Sequence, residues 1–140
     1  MRMRAATTAA TLFLAATLAG CAGAAKHSQL AGSEWQPTRL GASAVPSNPE
    51  SYVQFRVEGR LAGLGGCNRF MGGYTLDGDK IKIGPLASTQ MACPEPAMTQ
   101  ERAFVSALQD ANTYTREKGT LTLYGANGKE IAQLSQRDRD

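Results

Sequence analysis

The sequence predicts an α+β domain, an antiparallel β-rich curled sheet packed with one α-helix. Three observations carry that expectation. Short runs such as Tyr52-Val-Gln-Phe-Arg-Val57 and Lys80-Ile-Lys-Ile83 alternate apolar and polar residues, the period of a strand with one wet face. Turn pairs separate such runs, at Glu58-Gly59, Asp77-Gly78, Lys118-Gly119 and Asn127-Gly128. Only one segment, Ala97 to Ala111, repeats its apolar residues at helical spacing.

Taken in order, the chain opens with Arg2 and Arg4, continues with an Ala-, Thr- and Leu-rich run containing Phe13, and reaches Leu18-Ala-Gly-Cys21. A basic start, an apolar run too short to span a bilayer and small residues before a cleavage point make residues 1–20 a secretory signal peptide. Small residues followed at once by cysteine form a lipobox, which predicts that Cys21 is lipidated and becomes the first residue of the mature protein. One acyl chain holds a membrane only marginally, whereas two or more make a durable anchor. Ala22 follows, not Asp, which by analogy with enterobacterial sorting points to the outer membrane, facing the periplasm. The small and polar residues of 21–32 then suit a flexible tether, and the single histidine, His27, lies within it.

Without residues 1–20 the chain is a single small domain, expected over residues 33–135, with 136–140 as a frayed end. Losing Arg2 and Arg4 lowers the formal net charge from +3 to +1, and the remaining Lys and Arg are scattered, which argues against a nucleic-acid partner. No later stretch has the apolar length of a transmembrane helix.

Within the domain, the run from Leu30 to Trp35 reads as the start of the first strand, with the lone Trp35 as a core anchor. Gly41 to Pro49, rich in proline and small polar residues, is a loop. Tyr52–Val57 is a strand, Glu58-Gly59 its turn, and Leu61–Leu64 its return. The glycines at 63, 65 and 66 match neither a dinucleotide fingerprint nor a phosphate-binding loop, since Asn68 stands where a glycine is needed and no Gly-Lys-Ser/Thr follows. They are permissive positions for tight turns. Phe70, Gly72, Tyr74 and Leu76 fall on one face of a strand that turns at Asp77-Gly78 and returns through Ile81 and Ile83. Pro94 and Pro96 fit a helix start, Glu95 and Glu101 suit its positive end, and Ala97, Phe104, Val105, Leu108 and Ala111 make its apolar face. Thr113–Thr115, Thr120–Tyr124 and Glu130–Leu134 complete the set as short strands.

The stretch from Gly66 to Cys93 begins and ends beside cysteines and holds the chain's least ordinary residues. GCNRFMGGYTL, then GPLASTQMAC and PEPAMTQERAF, resemble the signature of the META or HslJ-like domain family of small bacterial envelope proteins, over about Leu30 to Leu134. The resemblance implies a heat-shock or envelope-stress and antibiotic-tolerance setting, with no established molecular activity. Gln90 stands where relatives often carry a basic residue, so an anionic contact made there in relatives would be missing.

The available chemistry is sparse. In an oxidising envelope, Cys67 and Cys93 are best read as a disulfide. Zinc would need about four ligands with no histidine near, and a redox pair would usually be Cys-X-X-Cys. Closing this loop removes about 3.5 kcal/mol of unfolded-state entropy. A Ser or Cys nucleophile would need a histidine base, and His27 lies outside the domain. Asp77 with Asp79, or Glu95 with Glu101, are carboxylate pairs by count, but the first shapes a turn and the second caps a helix. The chain is therefore expected to be non-catalytic and to carry no cofactor or metal. Asn68, Arg69, Ser88, Thr89 and Gln90 flank the cysteines and form a candidate recognition patch for an unknown protein or small-molecule ligand. An inhibitor of an envelope-directed hydrolase is the alternative.

Overall fold

A computed structural model describes residues 30–138, so the signal peptide, Cys21 and His27 lie outside the described residues. The described residues hold ten strands and one α-helix in the order β1 (Ser33–Leu40), β2 (Ser43–Ala44), β3 (Tyr52–Arg56), β4 (Arg60–Leu64), β5 (Arg69–Asp77), β6 (Lys80–Ile83), β7 (Ala87–Ser88), α1 (Ala97–Asp110), β8 (Thr113–Glu117), β9 (Thr120–Tyr124) and β10 (Glu130–Arg137). Strands β5, β6 and β10 alternate inward and outward residues, clearest in β6, where Ile81 and Ile83 point inward and Lys80 and Lys82 outward. The turn at Glu58-Gly59 places both residues at positive φ, 63° and 70°, which closes β3 onto β4 in a tight 3₁₀ turn.

The expected curled sheet is in fact closed. Neighbouring strands pair antiparallel in the order β10, β9, β8, β6, β5, β4, β3, β1, and β10 pairs with β1 from Glu34–Arg137 to Leu40–Ala132, completing an eight-stranded barrel. The short β2 and β7 attach outside this ring, to β1 and β5. Closure removes both open edges of the sheet, and with them the unpaired amides and carbonyls that an edge would expose. The thinnest seam is between β6 and β8, where Lys80 and Thr113 are the one register pair, supported by Ile81 N–H to Asn112 O and Tyr114 N–H to Asp79 O, both 2.9 Å.

Eight strands leave an interior just wide enough for side chains to fill. Trp35, Val53 and Phe55 are fully buried, and Leu61, Phe70, Leu121, Leu123 and Leu134 fill the barrel beside them. Phe55 meets Tyr74 edge to face at 5.0 Å, and burial raises the Tyr74 pKa while its hydroxyl donates to Arg56 O at 2.9 Å. Gly63 faces inward against this packing: a Cβ there would stand 2.3 Å from Tyr52 O and 2.4 Å from the Phe70 ring. The core is filled by side chains, so this barrel is a solid scaffold and not a ligand cup.

Helix α1 touches β1 and β6, which stand opposite each other in the ring, and so lies across one mouth of the barrel. Phe104 and Leu108 enter the core, Phe104 meeting Phe70 edge to face at 5.9 Å, while Val105 is only half-buried. The domain also reaches further at both ends than residues 33–135. Leu30 is fully buried and Gly32 N–H donates to Phe55 O at 2.7 Å, so the tether stops short of Gly32. At the other end Gln136 and Arg137, expected to fray, pair with Trp35 and Glu34. The Arg137 guanidinium lies 4.8 Å over the Tyr52 ring and 2.8 Å from Glu50.

Candidate functional site

Cys67 and Cys93 are bonded, with Cα atoms 6.0 Å apart. The bridge does not join the two strands of the β5–β6 hairpin. It ties the loop before β5 to the segment that leads into α1, and therefore holds the helix over the barrel mouth.

Around the bridge lies a polar knot that explains why this stretch is so particular. Glu101, on the second turn of α1 and 9 % exposed, points into the loop before β5. Its Oε2 accepts from the backbone N–H of Cys67 at 3.1 Å and of Asn68, and its Oε1 accepts from Asn68 Nδ2 at 2.9 Å. Asn68, 3 % exposed, completes its bonding by accepting on Oδ1 from the Thr89 hydroxyl at 2.8 Å and Met91 N–H at 2.6 Å, and donating from Nδ2 to Met91 O at 3.1 Å. Every donor and acceptor of the amide is then used, as burial demands. Gly65 makes room for the carboxylate, since a Cβ there would stand 2.5 Å from Glu101 Cγ, and Gly66 takes φ +126° where the loop turns.

Two expectations are corrected here. Asn68 does not belong to an exposed patch; it is a buried hub that joins the loop before β5, the segment after β7 and α1. Glu101 does not serve the helix N-terminus, because its carboxylate is drawn inward by two amides of another loop. The helix start is served by Glu95, which accepts from Thr99 N–H at 2.8 Å and pairs with Arg102 at 3.0 Å. The Thr99 hydroxyl and then Arg102 hold the Glu95 carboxyl below its ordinary pKa. Glu95 and Glu101 thus face different partners and form no acid–base pair. Asp77 and Asp79 flank the exposed hairpin turn at Gly78. Among the described residues no three His, Cys, Asp or Glu side chains gather as a metal-holding group.

The other patch residues do come together. Arg69 N–H donates to the Thr89 hydroxyl at 3.1 Å and Thr89 N–H donates to Arg69 O at 3.0 Å, which sets Arg69, Ser88, Thr89 and Gln90 on one exposed strip beside β7. Arg69 also forms one end of a groove of about 550 Å³ on the outer wall of β3, β4 and β5, lined further by Tyr52, Gln54, Arg56, Arg60, Ala62, Met71 and Ala87. Arg56, Arg60 and Met71 were not singled out by sequence reasoning. Their signal was the strand alternation, which aims all three away from the core once β3, β4 and β5 are known to be neighbours.

A disulfide-braced eight-stranded antiparallel barrel with one helix across its mouth and a groove on its outer wall defines a small α+β domain. The META domain profile matches residues 28–138, and the chain belongs to that family. Among curated proteins none matches the chain significantly. The solution structure of a protein from Burkholderia xenovorans is similar, with a TM-score of 0.66 and 23 % identity over 94 % of this chain and 100 % of that one. The crystal structure of a DUF4847 family protein from Bacteroides vulgatus is similar at a TM-score of 0.58 and 17 % identity, covering 81 % of this chain and 99 % of that one. Both likenesses concern the fold.

Proposed function

We propose that this protein is a lipid-anchored envelope protein whose META domain is a non-catalytic binding module, serving envelope stress or antibiotic tolerance. The observation that supports binding is the groove on the β3–β4–β5 wall, a concave surface that mixes arginines with apolar residues on a barrel whose core is packed with side chains. The carboxylates near the bridge are occupied by structural hydrogen bonds, which favours recognition over acid–base chemistry. Lipidation at Cys21 rests on the Leu18-Ala-Gly-Cys21 pattern and would hold the domain at the outer membrane facing the periplasm.

A photo-crosslinking residue placed at Met71, at the groove centre, tests the binding face in intact cells. The same probe at Thr120 on β9, three strands around the ring from β5, is the comparison. Products confined to the Met71 probe support the reading, and equal yields from both positions reject it. Capture of a secreted lysozyme-type hydrolase would turn the reading toward inhibition. Cys21→Ser tests the anchor: the protein should leave the membrane fraction or remain unprocessed, and unchanged fractionation with normal processing rejects lipidation.

A further inference from the structure

The groove carries a charge pattern that narrows its ligand. Arg56, Arg60 and Arg69 line it and no Asp or Glu does; Glu58, in the turn beyond Arg56, lines a neighbouring hollow. None of the three arginines is in an ion pair among the described residues, whereas Arg39, Arg102 and Arg137 each hold a glutamate. The register also separates the charges. Arg56 pairs with Arg60 at one end of the wall, and Arg69 pairs with Leu64 at the other. The two ends are four residue steps apart along β4, from Arg60 to Leu64, about 13 Å of extended strand. The middle is neutral, with Ala62 paired to both Gln54 and Met71, and Met71 paired to Ala87.

We propose that the groove binds an elongated small molecule carrying a phosphate group at each end of an uncharged body. Guanidinium forks match phosphate oxygens in pairs, and arginines outside any ion pair lose little by turning toward them, Arg56 giving up only its 3.0 Å bond from Nε to Gln54 Oε1. The long arginine side chains let the two ends grip phosphates set closer together than their backbones. The small residues at the centre leave room for the neutral body, which Gln54 and the Met71 thioether would contact. A single phosphate can engage only one end, so two phosphates joined by a spacer should bind better than one. The inference rests on reading the β3–β4–β5 wall as the binding face.

The test is calorimetric titration of the full-length protein with fructose 1,6-bisphosphate, fructose 6-phosphate, inorganic pyrophosphate and a polyglutamate peptide, at low and physiological salt. The bisphosphate should bind roughly tenfold or more tighter than the monophosphate, the contribution of one charge-assisted contact set. Arg60→Gln and Arg69→Gln, both exposed and so compatible with folding, should each bring it down to the monophosphate level. Equal affinity for bisphosphate and monophosphate overturns the proposal, as do unaffected variants. Pyrophosphate binding as tightly as the bisphosphate would mean that charge density, not span, is recognised, and overturns it as well. Tight polyglutamate binding without bisphosphate binding assigns the wall to an acidic protein partner instead. If Met71 crosslinks persist while every phosphate probe fails, only the ligand class is lost; if the crosslinks are absent too, the binding face itself is wrong.

Discussion

Removing the Glu101 carboxylate should be among the most damaging single changes outside the hydrophobic core. Glu101→Ala leaves three donors without their acceptor: the backbone N–H groups of Cys67 and Asn68 and the Nδ2 of Asn68. A buried donor stripped of its partner costs about 1–3 kcal/mol. The three share one network and a water can replace part of the carboxylate, so the losses do not simply add. A net loss of about 3–5 kcal/mol follows, and at this domain size it lowers Tm by roughly 12–22 degrees. Glu101→Gln keeps the shape and one acceptor oxygen but turns an NH₂ toward the donors, and should cost about 1–2 kcal/mol. Urea unfolding with the disulfide intact measures both, with an unchanged m-value showing that the midpoint shift is a stability change. A loss below about 1 kcal/mol for Glu101→Ala would refute the reasoning, because the carboxylate would then be replaceable by solvent.

Three further outcomes are expected. Cys67→Ala with Cys93→Ala should lower stability by about 2–4 kcal/mol while the native fold persists, since the bridge acts mainly on the unfolded chain; two reactive thiols per denatured, unreduced wild-type domain would show that no bridge forms. Gly63→Ala places a Cβ 2.3 Å from Tyr52 O and so should cost more than about 2 kcal/mol, read by urea midpoint, and a neutral result would mean that β3 and β4 can part without penalty. Glu95 has its folded-state pKa lowered, so the stability it contributes is fully present above the unfolded glutamate value and is lost as pH falls through the lower folded value. Stability measured from neutral pH down through that acidic range should lose this dependence in Glu95→Gln, and parallel profiles for the two proteins would contradict it.

Local pattern carried much of the architecture. The strand over Thr120–Tyr124 and the hairpin turning at Asp77-Gly78 were legible residue by residue, and the helix differed only at its last position, ending at Asp110. These features depend on side-chain period and turn chemistry within a few residues, which a sequence displays directly. Glu101 was misread as serving the helix N-terminus, although its helical spacing with Ala97, Phe104 and Leu108 was the available signal that the carboxylate turns inward. The partner's identity was not visible, because Asn68 lies 33 positions away and meets it only after β4, β5 and α1 have assembled.

The sequence by itself determined the helix and the eight longer strands but not the short β2, inside the expected Gly41–Pro49 loop, or β7, and it also determined the cysteine pair and the membership of a family of small β-rich domains. Tertiary structure alone decided that the sheet closes, that Asn68 is buried while Arg69 remains outside, and that arginines from three strands frame one groove. The physical reason is that alternation says which way a side chain points and nothing about which strand lies beside it. Closure depends on backbone pairing between β1 and β10, across almost the whole domain, and that pairing uses amide and carbonyl groups that every residue except proline supplies alike.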